Sequence, residues 1–144
     1  MKKTILLAAM ALSVLANTAS AQTASGDQLY KAFGEKTGIS TLMDDFMKRL
    51  IADPRTRSHF DIPGSDRIKE QLTEQLCELA GGPCTYTGRD MKSSHANLNI
   101  KKSDFNALVE VLQSSMTAKG IPFSSQNQML ALLAPMNRDV ITTK

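Results

Sequence analysis

Histidine, cysteine and aromatic residues are scarce in this 144-residue sequence. It contains two histidines, two cysteines and no tryptophan, and 5% of its residues are aromatic. No run of lysine or arginine is longer than two residues, so the sequence lacks the basic surface with which proteins bind nucleic acid. Because histidines and cysteines are so few, each of them is a candidate for a structural or chemical role.

Long apolar runs are also missing, except near the N-terminus. There Lys2 and Lys3 precede an apolar stretch over residues 5–16, and Ala19, Ser20 and Ala21 form a small-x-small cleavage pattern. The stretch is shorter than the roughly 20 residues of a membrane span. We therefore expect residues 1–21 to be a secretory signal peptide, with a retained amphipathic anchor as the alternative. We also expect export to the periplasm and no stable membrane insertion.

The remaining chain is expected to begin at Gln22 with a short disordered lead, residues 22–26, followed by one domain, residues 27–144. Loss of the signal peptide removes two of the 17 lysines and arginines, which leaves 15 against 14 acidic residues. The net charge of the mature chain is then +1, so the basic character of the full sequence comes mostly from the signal.

Apolar residues recur at helical spacing through most of this domain. The clearest apolar face consists of Ile39, Leu42, Met43, Phe46, Met47, Leu50 and Ile51. Pro54 ends that helix at Asp53, because the residue before a proline is disfavoured in the α region. Further helices are predicted over residues 27–33, from an N-cap at Ser65 through Leu79, from a cap at Ser103 to Met116, and from Ser124 or Ser125 to Val140 with a kink at Pro135. No segment alternates with period two, so the sequence predicts an all-α fold.

The two cysteines form an even pair in a chain that we expect to be exported, which favours a disulfide over a redox site. Cys77 follows Ile68 by nine residues, or about 180° around a helix at 100° per residue. It therefore lies opposite the stripe of Ile68, Leu72, Leu76 and Leu79. At that position Cys84 can return to it past the turn that begins at Gly81.

A connection of about twenty residues, 81–101, separates two of the predicted helices and contains His95. Helices in a simple bundle are usually joined by two to eight residues, and long connections in compact domains are often functional. A plain helical bundle is therefore the less favoured alternative, and His95 becomes a candidate ligand on a segment that we expect to be irregular.

Three stretches of the sequence resemble the group I truncated haemoglobins in order and spacing. They are DDFMKRLIADPRTRSHF, LAGGPCTYTGRDMKSSHANLNIKKSDF and LLAPMNRDV, and the resemblance as a whole covers nearly all of residues 27–142. The resemblance implies a two-over-two helical sandwich that encloses a non-covalent b-type haem. Covalent attachment of the c type is excluded because the sequence has no CxxCH motif.

The resemblance also assigns roles to single residues. His95 matches the proximal ligand of the haem iron, and a neutral imidazole is a suitable ligand for iron. Phe60 matches the aromatic residue on the haem face, whereas Met91 and Phe105 match positions on the proximal side. Tyr86 matches a tyrosine of the same segment. The other histidine, His59, is expected at the surface or toward a haem propionate rather than on the iron.

The sequence departs from the family at two places. Of the usual Gly-Gly pair between the first two helices, Gly34 is present and Glu35 follows it. On the distal side many members have a tyrosine and a glutamine that hydrogen-bond oxygen, but the matching residues here are apolar: Met47, Ile68 and Leu72. A hydrogen bond to a charged acceptor contributes about 1.5–3 kcal/mol. We therefore expect faster O2 release, with less effect on CO and NO, unless Gln71 or Gln75 reaches the ligand from the edge.

Three functions remain open from the sequence. The first is a globin that binds diatomic gases, or turns over NO or peroxide with an electron donor that the chain does not itself encode. The second is an electron carrier whose iron is held by His95 and by the thioether of Met47. The third is a helical binding module without haem.

Overall fold

A computed structural model describes residues 26–143 of the chain. These residues form eight α-helices and one short 3-10 turn, with no strand among them. The helices are α1 (Gln28–Ala32), α2 (Glu35–Ala52), α3 (Arg57–Phe60), α4 (Ser65–Leu79), α5 (Met91–His95), α6 (Lys102–Ala118), α7 (Phe123–Leu133) and α8 (Asn137–Val140), and the 3-10 turn is Ala134–Met136. The all-α prediction is confirmed, whereas the predicted signal peptide lies outside the described residues.

Four long helices, α2, α4, α6 and α7, enclose the apolar core. Helix α2 packs against both α4 and α6, and α7 contacts the same two helices. The largest side chains that are fully buried come chiefly from α2, α6 and α7, and they include Ile39, Leu42, Met43, Leu50, Met116 and Met129. The apolar periodicity of the sequence therefore located the core correctly. None of the described helices is long and apolar enough to cross a membrane.

Three helix starts differ from their predictions by a few residues. Gly64, at φ 90°, precedes α4, so Ser65 is the first helical residue rather than the cap. Helix α6 begins at Lys102 and not after Ser103, because the Asp104 carboxylate accepts the backbone N–H of Lys101 at 2.9 Å. Helix α7 begins one residue before Ser124. The predicted interruption at the C-terminal proline is confirmed, since α7 ends in the 3-10 turn.

At the corner between α1 and α2, Glu35 stands where the second glycine of the Gly-Gly pair is expected, and its backbone is strained. Gly34 has φ 75°, and the next residue, Glu35, also has a positive φ of 59°. A side chain at positive φ costs about 1–2 kcal/mol relative to glycine. Gly38 makes the tight corner possible, because a Cβ atom at that position would lie 2.1 Å from the carbonyl oxygen of Phe33.

Candidate functional site

The connection between α4 and α6 contains a helix, contrary to the expectation of an irregular segment. Helix α5 begins at Met91 and ends at His95. Asp90 caps it by accepting the backbone N–H of Ser93 at 2.8 Å and the Ser93 hydroxyl at 2.7 Å. The cap could have been predicted, because aspartate is a preferred N-cap residue. His95 is therefore the last residue of a short capped helix, and the expectation that it lies on an irregular segment is wrong.

The imidazole of His95 is fixed at one of its two ring nitrogens. Its Nδ1 lies 2.8 Å from the carbonyl oxygen of Met91, one helical turn earlier, and 3.3 Å from the Ser94 hydroxyl. A carbonyl oxygen can only accept, so Nδ1 carries the proton and the lone pair resides on Nε2. A ring that donates from Nδ1 to a carbonyl is a common arrangement for a metal-binding histidine. The half-buried His95 is thus prepared to ligate through Nε2.

The apolar residues that were predicted to line the cofactor come from five helices. Met47 on α2 is 6% exposed and lies outside the contiguous core cluster. The others are half-buried: Phe60 on α3, Ile68 and Leu72 on α4, Met91 on α5 and Phe105 on α6. Phe60 and Leu72 pack on the edge of the core. Large apolar side chains that a fold leaves partly open are typical of a ligand pocket, so these residues fit a flat apolar group such as haem.

The Tyr86 side chain is held within the connecting segment. Its hydroxyl donates to the carbonyl oxygen of Arg89 at 2.7 Å. Burial, followed by the nearby negative charges of Glu74 and Asp90, raises the pKa of Tyr86, so the phenol remains protonated. Gly88 lies beneath the ring, where a Cβ atom would be 2.3 Å from the tyrosine oxygen. Tyr86 therefore shapes the segment that leads to α5.

Gln71 and Gln75, the two glutamines considered as distal donors, differ in position. The Gln71 side chain points toward the connecting segment, because a Cβ atom added to Gly88 would lie 2.0 Å from Gln71 Oε1. Gln75 is 7% exposed, and its Nε2 lies 3.7 Å from the sulfur of Met91 and 3.6 Å from that of Met136. Gln75 therefore reaches the helix that carries His95, whereas Gln71 does not share these contacts.

Helix α4 also fastens the start of the connecting segment. The sulfur atoms of Cys77 and Cys84 are paired, with their Cα atoms 5.7 Å apart. Cys77 is fully buried and belongs to the core cluster together with Leu76, and Leu72 and Leu79 pack against that cluster. The expectation that Cys77 faces away from the core side of α4 is therefore wrong. Three residues earlier, the Glu74 carboxylate accepts the backbone N–H of Thr87 at 3.1 Å and its hydroxyl at 2.8 Å. Sequence analysis did not identify Glu74 or its partner.

The end of the connecting segment is fastened to the C-terminus. Ile100 donates its backbone N–H to the Thr142 hydroxyl at 2.8 Å, and its carbonyl oxygen accepts the N–H of Thr142 at 2.9 Å. Helix α5 also packs against α8. The segment that carries His95 is consequently held by α4 at one end and by the C-terminal residues at the other.

His59 lies on α3, beside Phe60. Its Nε2 is 3.8 Å from a carboxylate oxygen of Asp104, and both side chains are partly exposed. The position agrees with the expected surface location of this histidine. A carboxylate partner across the surface leaves His95 as the better candidate for iron.

Two clefts at the surface of the described residues do not coincide with the predicted pocket. One of about 580 Å³ is lined by Arg49, Glu110, Gln113, Ser114, Thr117 and Ala118, and another of about 290 Å³ lies between α1 and the end of α4. Both are open clefts without any of the predicted site residues. We therefore assign the site from the geometry around His95.

Comparison with known proteins agrees with this geometry. The profile of the bacterial-like globins matches residues 28–142. The group 1 truncated haemoglobin GlbN of Nostoc commune is 31% identical over 106 residues, covering 72% of this chain and 86% of its own length. GlbN of Mycolicibacterium paratuberculosis is 27% identical over 131 residues, covering 91% of this chain and 94% of its own.

The fold is also similar to that of a solved truncated haemoglobin. The crystal structure of truncated haemoglobin from Tetrahymena pyriformis in its Fe(III) form superimposes with a TM-score of 0.74 at 25% identity. The match covers 81% of this chain and 98% of that one. The two-over-two globin arrangement expected from the sequence is therefore confirmed.

Proposed function

Because the chain belongs to the bacterial-like globins and is related to the group 1 truncated haemoglobins, we propose that Nε2 of His95 would ligate its haem iron. The protein is a haem-binding globin, and the haem supplies an iron that binds diatomic gases such as O2, CO and NO. The observation that carries the assignment is the 2.8 Å contact between Nδ1 of His95 and the Met91 carbonyl oxygen, which leaves the lone pair on Nε2.

We propose further that the distal side favours rapid exchange of O2 over its storage. The three residues that match distal positions, Met47, Ile68 and Leu72, have no hydrogen-bond donor in their side chains. These side chains would give no hydrogen bond to the partial negative charge that O2 carries when iron binds it. CO and NO gather less charge, so the pocket discriminates less against them.

Introducing a donor tests this proposal. Leu72→Gln should slow O2 dissociation by roughly tenfold to a hundredfold, which corresponds to a gain of about 1.5–3 kcal/mol. CO dissociation from the same variant, measured by ligand replacement, serves as the control and should change much less. Slow O2 release from the unaltered protein, with no response to the substitution, would show that a donor is already present.

A second candidate function rests on the position of Met47. It is buried on α2 outside the core cluster, and the resemblance assigns it to the distal side. A His/Met pair raises the reduction potential of haem and suits electron transfer. Met47→Leu separates the two functions, because only the electron carrier would change from a six-coordinate to a five-coordinate spectrum. Turnover of NO or peroxide would also require an external electron donor.

We also propose that the domain functions after export, in the periplasm. Two features support this location: the signal-like residues 1–21 of the sequence and the pairing of Cys77 with Cys84, which we propose to be a disulfide. The mass of the protein recovered from a periplasmic extract tests it. An N-terminus at Gln22 and no reaction with a thiol reagent before reduction are expected. An uncleaved chain with two reactive thiols would contradict the proposal.

A further inference from the structure

Gln75 is a polar residue on a helix face that is otherwise apolar. Ile68, Leu72, Gln75 and Leu79 follow one another at spacings of four, three and four residues, so they share one side of α4. Gln75 is only 7% exposed, whereas the two distal candidates before it are half-buried. An amide in such a place is costly unless it has partners, so its contacts indicate its role.

The partners of the Gln75 amide are two sulfur atoms from different parts of the chain. Nε2 lies 3.7 Å from Sδ of Met91, the first residue of α5, and 3.6 Å from Sδ of Met136, in the 3-10 turn. Thioether sulfur is a weak acceptor, so these contacts contribute little stability. They are directional, however, and join α4 to two elements that lie far from it in sequence.

The contact to Met91 continues to His95 within one helical turn. The Met91 carbonyl oxygen is the partner of His95 Nδ1 at 2.8 Å, and α5 itself packs on α8, which follows Met136 directly. A displacement of Met91 therefore changes the direction of the Nδ1 hydrogen bond and the orientation of the ring. Glu74 and Cys77 hold the segment earlier, at Thr87 and Cys84.

We propose that Gln75 is a positioning residue, whose amide, held between the sulfurs of Met91 and Met136, sets the orientation of the His95 imidazole. It acts through Met91 and not by touching a bound gas. This inference rests on the proposed ligation of iron by His95. By fixing the ring, Gln75 would strengthen the bond between iron and Nε2, since a ring that is rotated from its preferred plane binds the metal less well.

The test compares Gln75→Met with Gln71→Met in the haem-loaded protein. Methionine keeps a similar length but removes the donor, and Gln71 is a glutamine on the same helix that contacts Gly88 instead. We expect Gln75→Met to shift the iron–histidine stretching band of the ferrous protein in resonance Raman spectra. We also expect it to release haem to an apomyoglobin acceptor about threefold to tenfold faster, whereas Gln71→Met leaves both unchanged.

A double substitution separates positioning from packing. Met91→Leu removes one acceptor, so it should reproduce the shift of the band, and adding Gln75→Met should produce little further change. The positioning role alone would be overturned if the effects of the two substitutions were independent and additive. It would also be overturned if Gln75→Met kept its haem and had the same Raman band as the unaltered protein. Failure of the unaltered protein to show a histidine-ligated haem would overturn the proposed function and this inference together.

Discussion

The helical core and the segment between α4 and α6 are held by different interactions. In the core, fully buried side chains such as Leu42, Leu50 and Met116 pack without polar partners. In the connecting segment, single polar contacts hold the chain: Glu74 with Thr87, and Asp90 with Ser93. The core therefore depends on filled volume, which many sequences can supply. The segment depends on particular atoms at particular places, and it carries the histidine that we assign to the iron.

The largest effect is expected in the core. Leu50→Ala removes a fully buried side chain from α2 and should lower the free energy of unfolding by about 2–5 kcal/mol, because the cavity closes only in part. Urea denaturation followed by circular dichroism measures the change. Leu132→Ala is the matched control, since that leucine is 41% exposed, and it should cost much less. Equal losses would mean that the assigned core is wrong.

Reduction of the proposed Cys77–Cys84 disulfide should have the next largest effect. The bond closes a loop with a sequence separation of seven residues, and a closure of that size stabilises the folded chain by about 2–3 kcal/mol. Denaturation with and without dithiothreitol measures this difference. The doubly substituted protein, Cys77→Ala with Cys84→Ala, should not respond to the reductant. An unaltered midpoint in the reduced native protein would show that the polar contacts alone hold the segment.

Acid should loosen the connecting segment before the core. The backbone N–H and then the hydroxyl of Thr87 lower the pKa of Glu74 below its ordinary value of 4.5, and the Ser93 hydroxyl and then its N–H lower the pKa of Asp90. A carboxylate whose pKa is lower in the folded chain than in the unfolded chain stabilises the fold at pH values above its unfolded pKa. This stabilisation is lost as the pH falls through the folded pKa. Protection of segment amides from hydrogen exchange should therefore fall on acidification, while that of core amides persists.

Substitution of one carboxylate identifies its share of this acid response. Glu74→Gln should lower segment protection already at neutral pH and weaken its dependence on acid, because the amide does not titrate. Glu78→Gln changes an exposed carboxylate on the same helix and is the control. If both variants retain the full acid response, the contact with Thr87 does not hold the segment.

The smallest predicted effect is a gain of stability at the corner between α1 and α2. Glu35 has φ 59°, so Glu35→Gly should relieve backbone strain. Part of this gain is offset by the larger conformational freedom of glycine in the unfolded chain. A net stabilisation of about 0.5–1 kcal/mol is expected in the urea midpoint. Glu35→Ala keeps the strain and should show no such gain.

The same contrast explains how much the sequence could predict. Apolar spacing located α2, α4 and α6, because burial against a core requires one apolar face whatever the neighbours are. It did not locate α5, since a helix of five residues has too few turns to show a period. Asp90 was the available signal for its start.

Among the site residues, the resemblance supplied positions but not contacts. It nominated His95, Met91 and Tyr86, yet the turn of Tyr86 toward Arg89 could not be read from spacing. The amide of Gln75 reaches Met136, 61 residues away, and such a contact depends on how α4 and the C-terminal turn pack. Apolar spacing identifies buried helix faces but carries no information about polar contacts between distant residues. Sequence reasoning therefore found the core and missed the contacts that fasten α5.

The two histidines allow the most direct test of iron ligation. Absorption spectra of the reduced protein should be recorded with and without CO for the unaltered chain, His95→Ala and His59→Ala. We predict that His59→Ala retains the haem band and its shift with CO, that His95→Ala loses both, and that added imidazole restores them in part. A normal haem spectrum in His95→Ala, or its loss in His59→Ala, would contradict the assignment of His95 as the ligand of the iron.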